Sequence, residues 1–287
     1  MGKRKVGLVL TGGAARGLAH LGVLSVLEEH GIPVDLIAGA SFGSIVAGYY
    51  ASGCFSSSLI EKAKRFAEGG LIDELKKNNG RLDWDRAEGI LRQDLGNMNI
   101  EDLRIPVFIL ATDISKGDIC VFQRGPLITA IRASSAFPGL FGSLIYNGHV
   151  YIDGGLLNSL LLNIAHTHGA DVIIFSDVSF LGIIYRRGWI NVLLNTVLRF
   201  VPAHRYRPIR KLDRISAFRL IPRVLHIVKK YKKQCEIYRK TLPDYTIVPD
   251  LAGIKPLDFH KIDESYTRGR EAALKQIHEI VKFLRSV

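Results

Sequence analysis

Leu36-Ile37-Ala38-Gly39-Ala40-Ser41-Phe42-Gly43-Ser44-Ile45-Val46-Ala47-Gly48 is the stretch that decides the fold. A short apolar run meets a serine held between two glycines, and the residues from Ser44 onward read as a helix. Strand, sharp turn and helix are the setting of a nucleophile elbow. There the serine hydroxyl projects at the top of a sheet, and Gly39 and Gly43 stand where a Cβ would clash. The bare G-x-S-x-G pattern arises by chance in roughly one chain in six of this composition, so the flanking strand and helix carry the reading. A plain βα turn with a capping serine fits the same residues.

Upstream, Lys5-Val6-Gly7-Leu8-Val9-Leu10 is apolar almost throughout, as a strand of a parallel sheet buried on both faces should be. Thr11-Gly12-Gly13-Ala14-Ala15-Arg16-Gly17 follows, then an amphipathic helix from Leu18 to about His30, closed by Gly31. This βαβα opening predicts a doubly wound or related α/β sheet. The glycine loop is not a nucleotide cradle. Leu18-Ala19 stands where a P-loop needs Lys-Ser/Thr, and Ala14 stands where the dinucleotide pattern needs its second glycine. Exposed N–H groups at a strand end and helix start instead offer a site for developing negative charge, beside the serine loop at the carboxyl edge of the sheet. A nucleophile and an oxyanion hole are what acyl transfer needs first. Arg16 opposes the helix dipole there and fits a nearby anion, or else a solvated surface arginine.

Length and composition agree with an α/β domain. The chain has 287 residues, 47% hydrophobic and 23% charged, enough for a full core and unlike a disordered chain. Cys54, Cys120 and Cys235 form neither a disulfide framework nor a metal pair, which predicts a reducing, cytoplasmic setting and no metal or other cofactor. Met1-Gly2-Lys3-Arg4-Lys5 leads directly into the first strand without a signal-peptide pattern, and Val6 spoils a myristoylation motif.

Downstream, the polar stretch from Gly53 to Arg104 reads as helical, with Trp84 and Met98 expected in the core. Pro106 to Ala111 is a buried strand that ends in Thr112-Asp113, where the aspartate suits a turn better than catalysis. His149-Val150-Tyr151-Ile152-Asp153-Gly154-Gly155 delivers another aspartate onto a glycine turn. Asp-Gly is common in turns, but a hydroxyl nucleophile needs a base and Asp153 is placed to supply one. Histidines are the rivals: His166, His168, His204, His226, His260 and His278 all follow Asp153. In the α/β-hydrolase fold, however, the nucleophile follows several strands, whereas Ser41 follows the second.

The glycine loop, the serine turn and Asp153-Gly154-Gly155 together resemble the patatin-like phospholipases. Ala111-Thr112-Asp113 and Ala133-Ser134-Ser135-Ala136-Phe137-Pro138-Gly139 are similar to further signatures of that family. The resemblance covers about residues 5–180. It implies a three-layer α/β sandwich with a mainly parallel central sheet, its nucleophile elbow after the second strand. It also implies a Ser-Asp dyad lipid acyl hydrolase, with Ser41 as nucleophile, Asp153 as base and an oxyanion hole at Gly12, Gly13 and Ala14. Three positions depart from the family pattern: Ala14 replaces the usual glycine, Leu161 the usual proline, and Asn163 a frequent aspartate.

The charge is concentrated. The net formal charge is +12, yet residues 181–243 carry 16 Lys and Arg against Asp213 and Glu236, so the rest of the chain is close to neutral. Trp189 to Val201 reads as an apolar helix, short of the ~20 residues a spanning helix needs. Beside the polybasic stretch it fits peripheral contact with an anionic membrane through residues 186–240, where each basic residue adds ~1 kcal/mol. A solvated helical surface fits equally. No module motif accompanies the charge, so nucleic acid is not expected as a partner. Residues 181–243 are expected to elaborate one domain, and residues 244–287 to complete it with a strand and a terminal helix from about Ile262 to Leu284. The expected partner is a lipid substrate. An acyltransferase using the same dyad, and a non-catalytic scaffold that binds membrane or a partner through the basic segment, are the competing functions.

Overall fold

The structure is a computed structural model that describes residues 4–66, 84–137, 141–179, 227, 230–231 and 242–286. Its first strand, β1 (Val6–Leu10), lies at the middle of the sheet because it is apolar on both faces. It leads through a 3-10 turn (Ala14–Leu18) into α1 (Ala19–Glu29), then β2 (Leu36–Ala40) and α2 (Phe42–Ala51). α3 (Ser56–Phe66), α4 (Trp84–Leu95), β3 (Val107–Asp113), β4 (Asp118–Phe122) and α5 (Leu127–Ser134) follow. β5 (Leu144–Tyr146) and β6 (His149–Asp153) then form a hairpin. A short 3-10 turn, α6 (Leu160–Thr167), β7 (Val172–Ser176), β8 (Tyr245–Ile247), α7 (Ile262–Leu274) and α8 (Ile277–Arg285) complete the described chain.

The sheet runs β5-β6-β3-β2-β1-β7-β8, with β4 also paired to β3. Strands β3, β2, β1, β7 and β8 are parallel, as the expected α/β class requires, while β4, β5 and β6 add antiparallel pairs. The strand period of two sends Val6, Leu8, Leu10 and Ile37 to one face, under α1, α2 and α5. Val9, Leu36, Ala38 and Leu110 face the opposite side, under α6. Both faces are therefore covered, which gives three layers.

One register places the site. β4 occupies one edge of β3 over residues 109–113. β2, on residues 107–110, and β6, on residues 111–113, must then share the other edge. The two strands run toward each other and stop at adjacent β3 residues, Ala40 opposite Leu110 and Asp153 opposite Ala111. The residue that leaves β2 therefore meets the residue that ends β6.

Two expectations need correction. The terminal helix is divided at Lys275–Gln276 into α7 and α8. Gln276 reaches the Thr246 carbonyl of β8, and the break lets Ile277 and Ile280 turn into the core. Trp84 is buried, but Met98 is exposed: its carbonyl accepts the Leu127 N–H beside the Asn99–Pro126 bridge, and its side chain points away. Of the basic segment, Ile227 and Tyr231 are buried on the α6 side of the sheet, and Lys230 pairs with Asp118 of β4 at 2.9 Å. The expected apolar helix at Trp189–Val201 and most of the polybasic stretch lie outside the described residues.

Candidate active site

Ser41 is the hinge between β2 and α2. Its backbone stands at φ 51°, ψ −126°, a left-handed strain that an L-residue holds only where the surroundings impose it. The turn closes tightly on β1: a Cβ on Gly43 would lie 2.3 Å from the Leu10 carbonyl oxygen, which explains the glycine there. Ser41 N–H donates to Ser134 Oγ at 2.8 Å, and that hydroxyl donates to the Leu110 carbonyl at 2.6 Å. Ser134 thus fastens the elbow to β3.

Ser41 Oγ donates to Asp153 Oδ2 at 2.6 Å. The other carboxylate oxygen accepts the Gly155 N–H at 2.6 Å. The Asp153 backbone is pinned on both sides, its N–H donating to Ala136 and its carbonyl accepting the Thr112 hydroxyl. Gly154 lets the chain turn against β3, since a Cβ there would lie 1.9 Å from the Leu110 carbonyl oxygen. Burial pushes the Asp153 carboxyl up from 3.8 to about 6, against the opposing pull of the Ser41 and Gly155 donors. No ion pair joins it to a cation among the described residues.

The glycine loop lies beside this pair: Gly12 packs so closely that a Cβ on it would meet Ser41 Cβ at 2.9 Å and Gly155 Cα at 3.2 Å. The three expected oxyanion amides are not equivalent. Gly12 N–H already donates to Asn158 Oδ1 at 3.0 Å. The amides of Gly13 and Ala14 make no hydrogen bond among the described residues, at the start of the 3-10 turn. Ala14 holds φ 49°, a conformation glycine adopts without cost. Arg16 is buried, its Nε donating to the Val178 carbonyl at 3.0 Å, with Asp177 and Asp250 as nearby negative charges. These two carboxylates meet the need for an anion near Arg16, so its position alone does not call for a bound one.

The remaining polar residues sort clearly. Asp113 is the turn residue expected, accepting the Ser115 and Lys116 N–H groups and contacting His149 Nδ1 at 2.9 Å. Among the described histidines, none hydrogen-bonds Ser41. His168 Nδ1 bonds to its own helix and the ring stacks on Phe108, while His278 meets His30 edge to face. His204 and His226 lie outside the described residues. His20 is fully buried between Ser176 Oγ and the Thr11 carbonyl. A carbonyl only accepts, so Nε2 carries the proton and Nδ1 accepts from Ser176. Burial lowers its pKa to about 4, so it is neutral and supports the strand beneath the glycine loop. Ser134, Thr112 and Asn158 are the positioning groups that pattern reading did not single out. Each lies in or beside a quoted motif, yet carries no periodic signal.

Residues 8–166 match the family described as Patatin-like phospholipase. The lysophospholipase NTE1 of Meyerozyma guilliermondii is 32% identical over 271 residues, covering 92% of this chain and 18% of that protein. An uncharacterized NTE family protein of Mycobacterium tuberculosis, MT2641, is 29% identical over 286 residues, covering 94% of this chain and 46% of the other. The chain thus spans under a fifth of the fungal relative and under half of the mycobacterial one. The crystal structure of VipD from Legionella pneumophila superposes with a TM-score of 0.53 at 14% identity, over 97% of this chain and 67% of that one, a likeness of fold alone.

Proposed function

The chain belongs to the patatin-like phospholipase family, and from that premise we propose that it is a serine hydrolase of phospholipid or lysophospholipid acyl esters. Ser41 and Asp153 carry the reaction at a membrane surface. The observation behind this reading is the 2.6 Å contact from Ser41 Oγ to a buried carboxylate. A carboxylate at its ordinary pKa is a weak base, and the shift toward 6 makes Asp153 a better one near neutral pH.

In the reaction, Asp153 Oδ2 takes the Ser41 proton as Oγ attacks the ester carbonyl. The Gly13 and Ala14 amides hold the oxyanion, while Asn158 fixes the loop through Gly12. The protonated carboxyl then gives its proton to the departing alkoxide, leaving an acyl-enzyme on Ser41. Water, activated by the same carboxylate, releases the acid. A lipid hydroxyl in place of water turns the same dyad to acyl transfer. The name of the fungal relative, a lysophospholipase, supports a lipid ester as substrate. The basic residues of 186–240 support attraction to an anionic surface. Among the described residues, no helix is long and apolar enough to cross a membrane.

Labelling with a fluorophosphonate serine probe tests this. Wild type is expected to label, and Ser41→Ala and Asp153→Asn to stay silent, with lysophospholipid hydrolysis following the same order. Esterase activity that survives Ser41→Ala would refute the mechanism. A folded wild type that stays unlabelled beside liposomes would favour a non-catalytic, membrane-binding role.

A further inference from the structure

A cavity runs along α2, beginning one residue beyond the nucleophile. Phe42, Ile45, Val46 and Tyr49 line it from α2, and their spacing puts them on one helical face. Leu18, the last residue of the 3-10 turn, and Leu21 of α1 line it as well, and Leu59 and Ala63 of α3 form a side wall. The space amounts to about 560 Å³, counting the part open to solvent. Ser41 and Asp153 do not line this cavity. Phe42, the residue next to Ser41, does line it, with its ring packed on Gly17 and 6.2 Å from the Phe259 ring.

The cavity is apolar except at its far end. There Lys62 Nζ bonds Asp94 Oδ1 at 2.7 Å, the Tyr49 hydroxyl donates to Asp94 Oδ2 at 3.0 Å, and Arg65 reaches the same carboxylate at 3.2 Å. Asp94 is largely buried, so an alkyl chain that displaced these donors would leave a buried charge unpaired. The ion pair is a floor that an apolar chain does not cross.

We infer that this cavity holds the first carbons of the substrate's acyl chain, entered past Phe42 and ended by the Lys62–Asp94 pair. The inference rests on the hydrolase reading above and adds a length to it. From Phe42 to Tyr49 the helix rises seven residues at about 1.5 Å each, about 10.5 Å in all. A C–C bond of about 1.5 Å advances an extended chain by about 1.25 Å, so the cavity takes about eight carbons. Longer chains leave their remaining carbons outside and gain nothing more from it.

The test is the rate of Ser41 labelling by monomeric alkylphosphonofluoridates, whose alkyl chain takes the place of the acyl chain, from two to sixteen carbons. Burying a methylene is worth about fourfold, so the rate should climb by about that factor per carbon to about eight and then level off. Ala63→Leu narrows the cavity and should bring the plateau to shorter chains. Lys62→Ala removes most of the Lys62 side chain from the floor, while Tyr49 and Arg65 still hold Asp94, and should move it to longer ones. A flat profile, an unbroken rise to sixteen carbons, or a plateau unmoved by both variants would overturn the inference. Lys62 is partly exposed, so its variant serves even where Ala63→Leu does not fold. Absence of labelling at every length, two carbons included, would instead sink the hydrolase reading and the inference with it.

Discussion

Ser134 Oγ accepts the Ser41 amide at 2.8 Å while giving its own proton to the Leu110 carbonyl at 2.6 Å, so one hydroxyl ties the strained elbow to the neighbouring strand. Ser134 and Leu110 are fully buried, and Ser41 is half-buried. Ser134→Ala should therefore destabilise the fold by about 1–3 kcal/mol, the cost of stranding a buried polar group. Because the lost bond holds the Ser41 backbone, kcat should fall about tenfold or more, as expected when a nucleophile drifts from its base. Urea unfolding and ester turnover on the same preparation check both. Full activity in a folded Ser134→Ala would show that the elbow keeps its geometry unaided.

Ala14 has an amide that makes no hydrogen bond among the described residues, at a left-handed backbone position, so its two roles separate by substitution. Ala14→Gly relieves about 1 kcal/mol of steric strain and loses a similar amount through the greater entropy of the unfolded chain. It should stay near wild type in stability and activity. Ala14→Val places a β-branched residue where its backbone is a true outlier, and should lose about 1–3 kcal/mol. Thermal unfolding of the pair checks this. Equal stability of the two variants would place residue 14 elsewhere in backbone space.

The C-terminal helices belong to the same core as the site. α7 crosses α1 so closely that a Cβ on Gly269 would lie 2.0 Å from the Ala19 carbonyl oxygen, and one on Gly22 would lie 2.0 Å from that of Tyr266. Backbone meets backbone there, so no side chain can swing aside. Gly269→Ala should cost at least about 1–3 kcal/mol, the usual range for overpacking. It should also lower activity, since Ala19 begins the helix that follows the glycine loop. A wild-type melting temperature for Gly269→Ala would mean the two helices are free to separate.

Much of this site was readable from the chain because its parts are local. The strand before Ser41, the glycines around it and the Asp153 turn all lie within a few residues of the groups they position. The meeting of Ser41 with Asp153 was not readable in that way. It depends on β4 holding one edge of β3, which leaves β2 and β6 to share the other. Pairings across such sequence separations leave no periodic trace. Asn158 and Ser134 were opaque for a related reason, since a single polar side chain looks like a surface one until its partner is placed. The division of the last helix at Gln276 had no glycine or proline to announce it. A side-chain bond to β8 marks it instead.

Asp153 and His20 titrate over the same range with opposite effects on the fold. Asp153 is raised from 3.8 to about 6 by burial, so its contribution to stability is fully present below 3.8 and lost as pH rises through about 6. His20 is lowered from 6.5 to about 4 by burial, so its contribution is fully present above 6.5 and lost as pH falls through about 4. At 1.36 kcal/mol per unit each change amounts to about 3 kcal/mol, and between pH 4 and 6.5 the two largely offset one another. Single variants should expose each in turn. Asp153→Asn keeps an acceptor for Gly155 and a donor for Ser41, so it should be more stable than wild type at pH 8 by up to about 3 kcal/mol. It should lose that advantage by pH 4, and in wild type kcat/KM should rise with pH through about 6, as the base ionises. His20→Gln keeps a donor for the Thr11 carbonyl and removes the acid lability, so its stability should increase from pH 6.5 to pH 4. Urea midpoints of the three proteins at pH 4, 6 and 8 decide the matter. An Asp153→Asn protein less stable than wild type at pH 8, or both variants keeping the wild-type pH slope, would show that these two groups do not set the acid response of the fold.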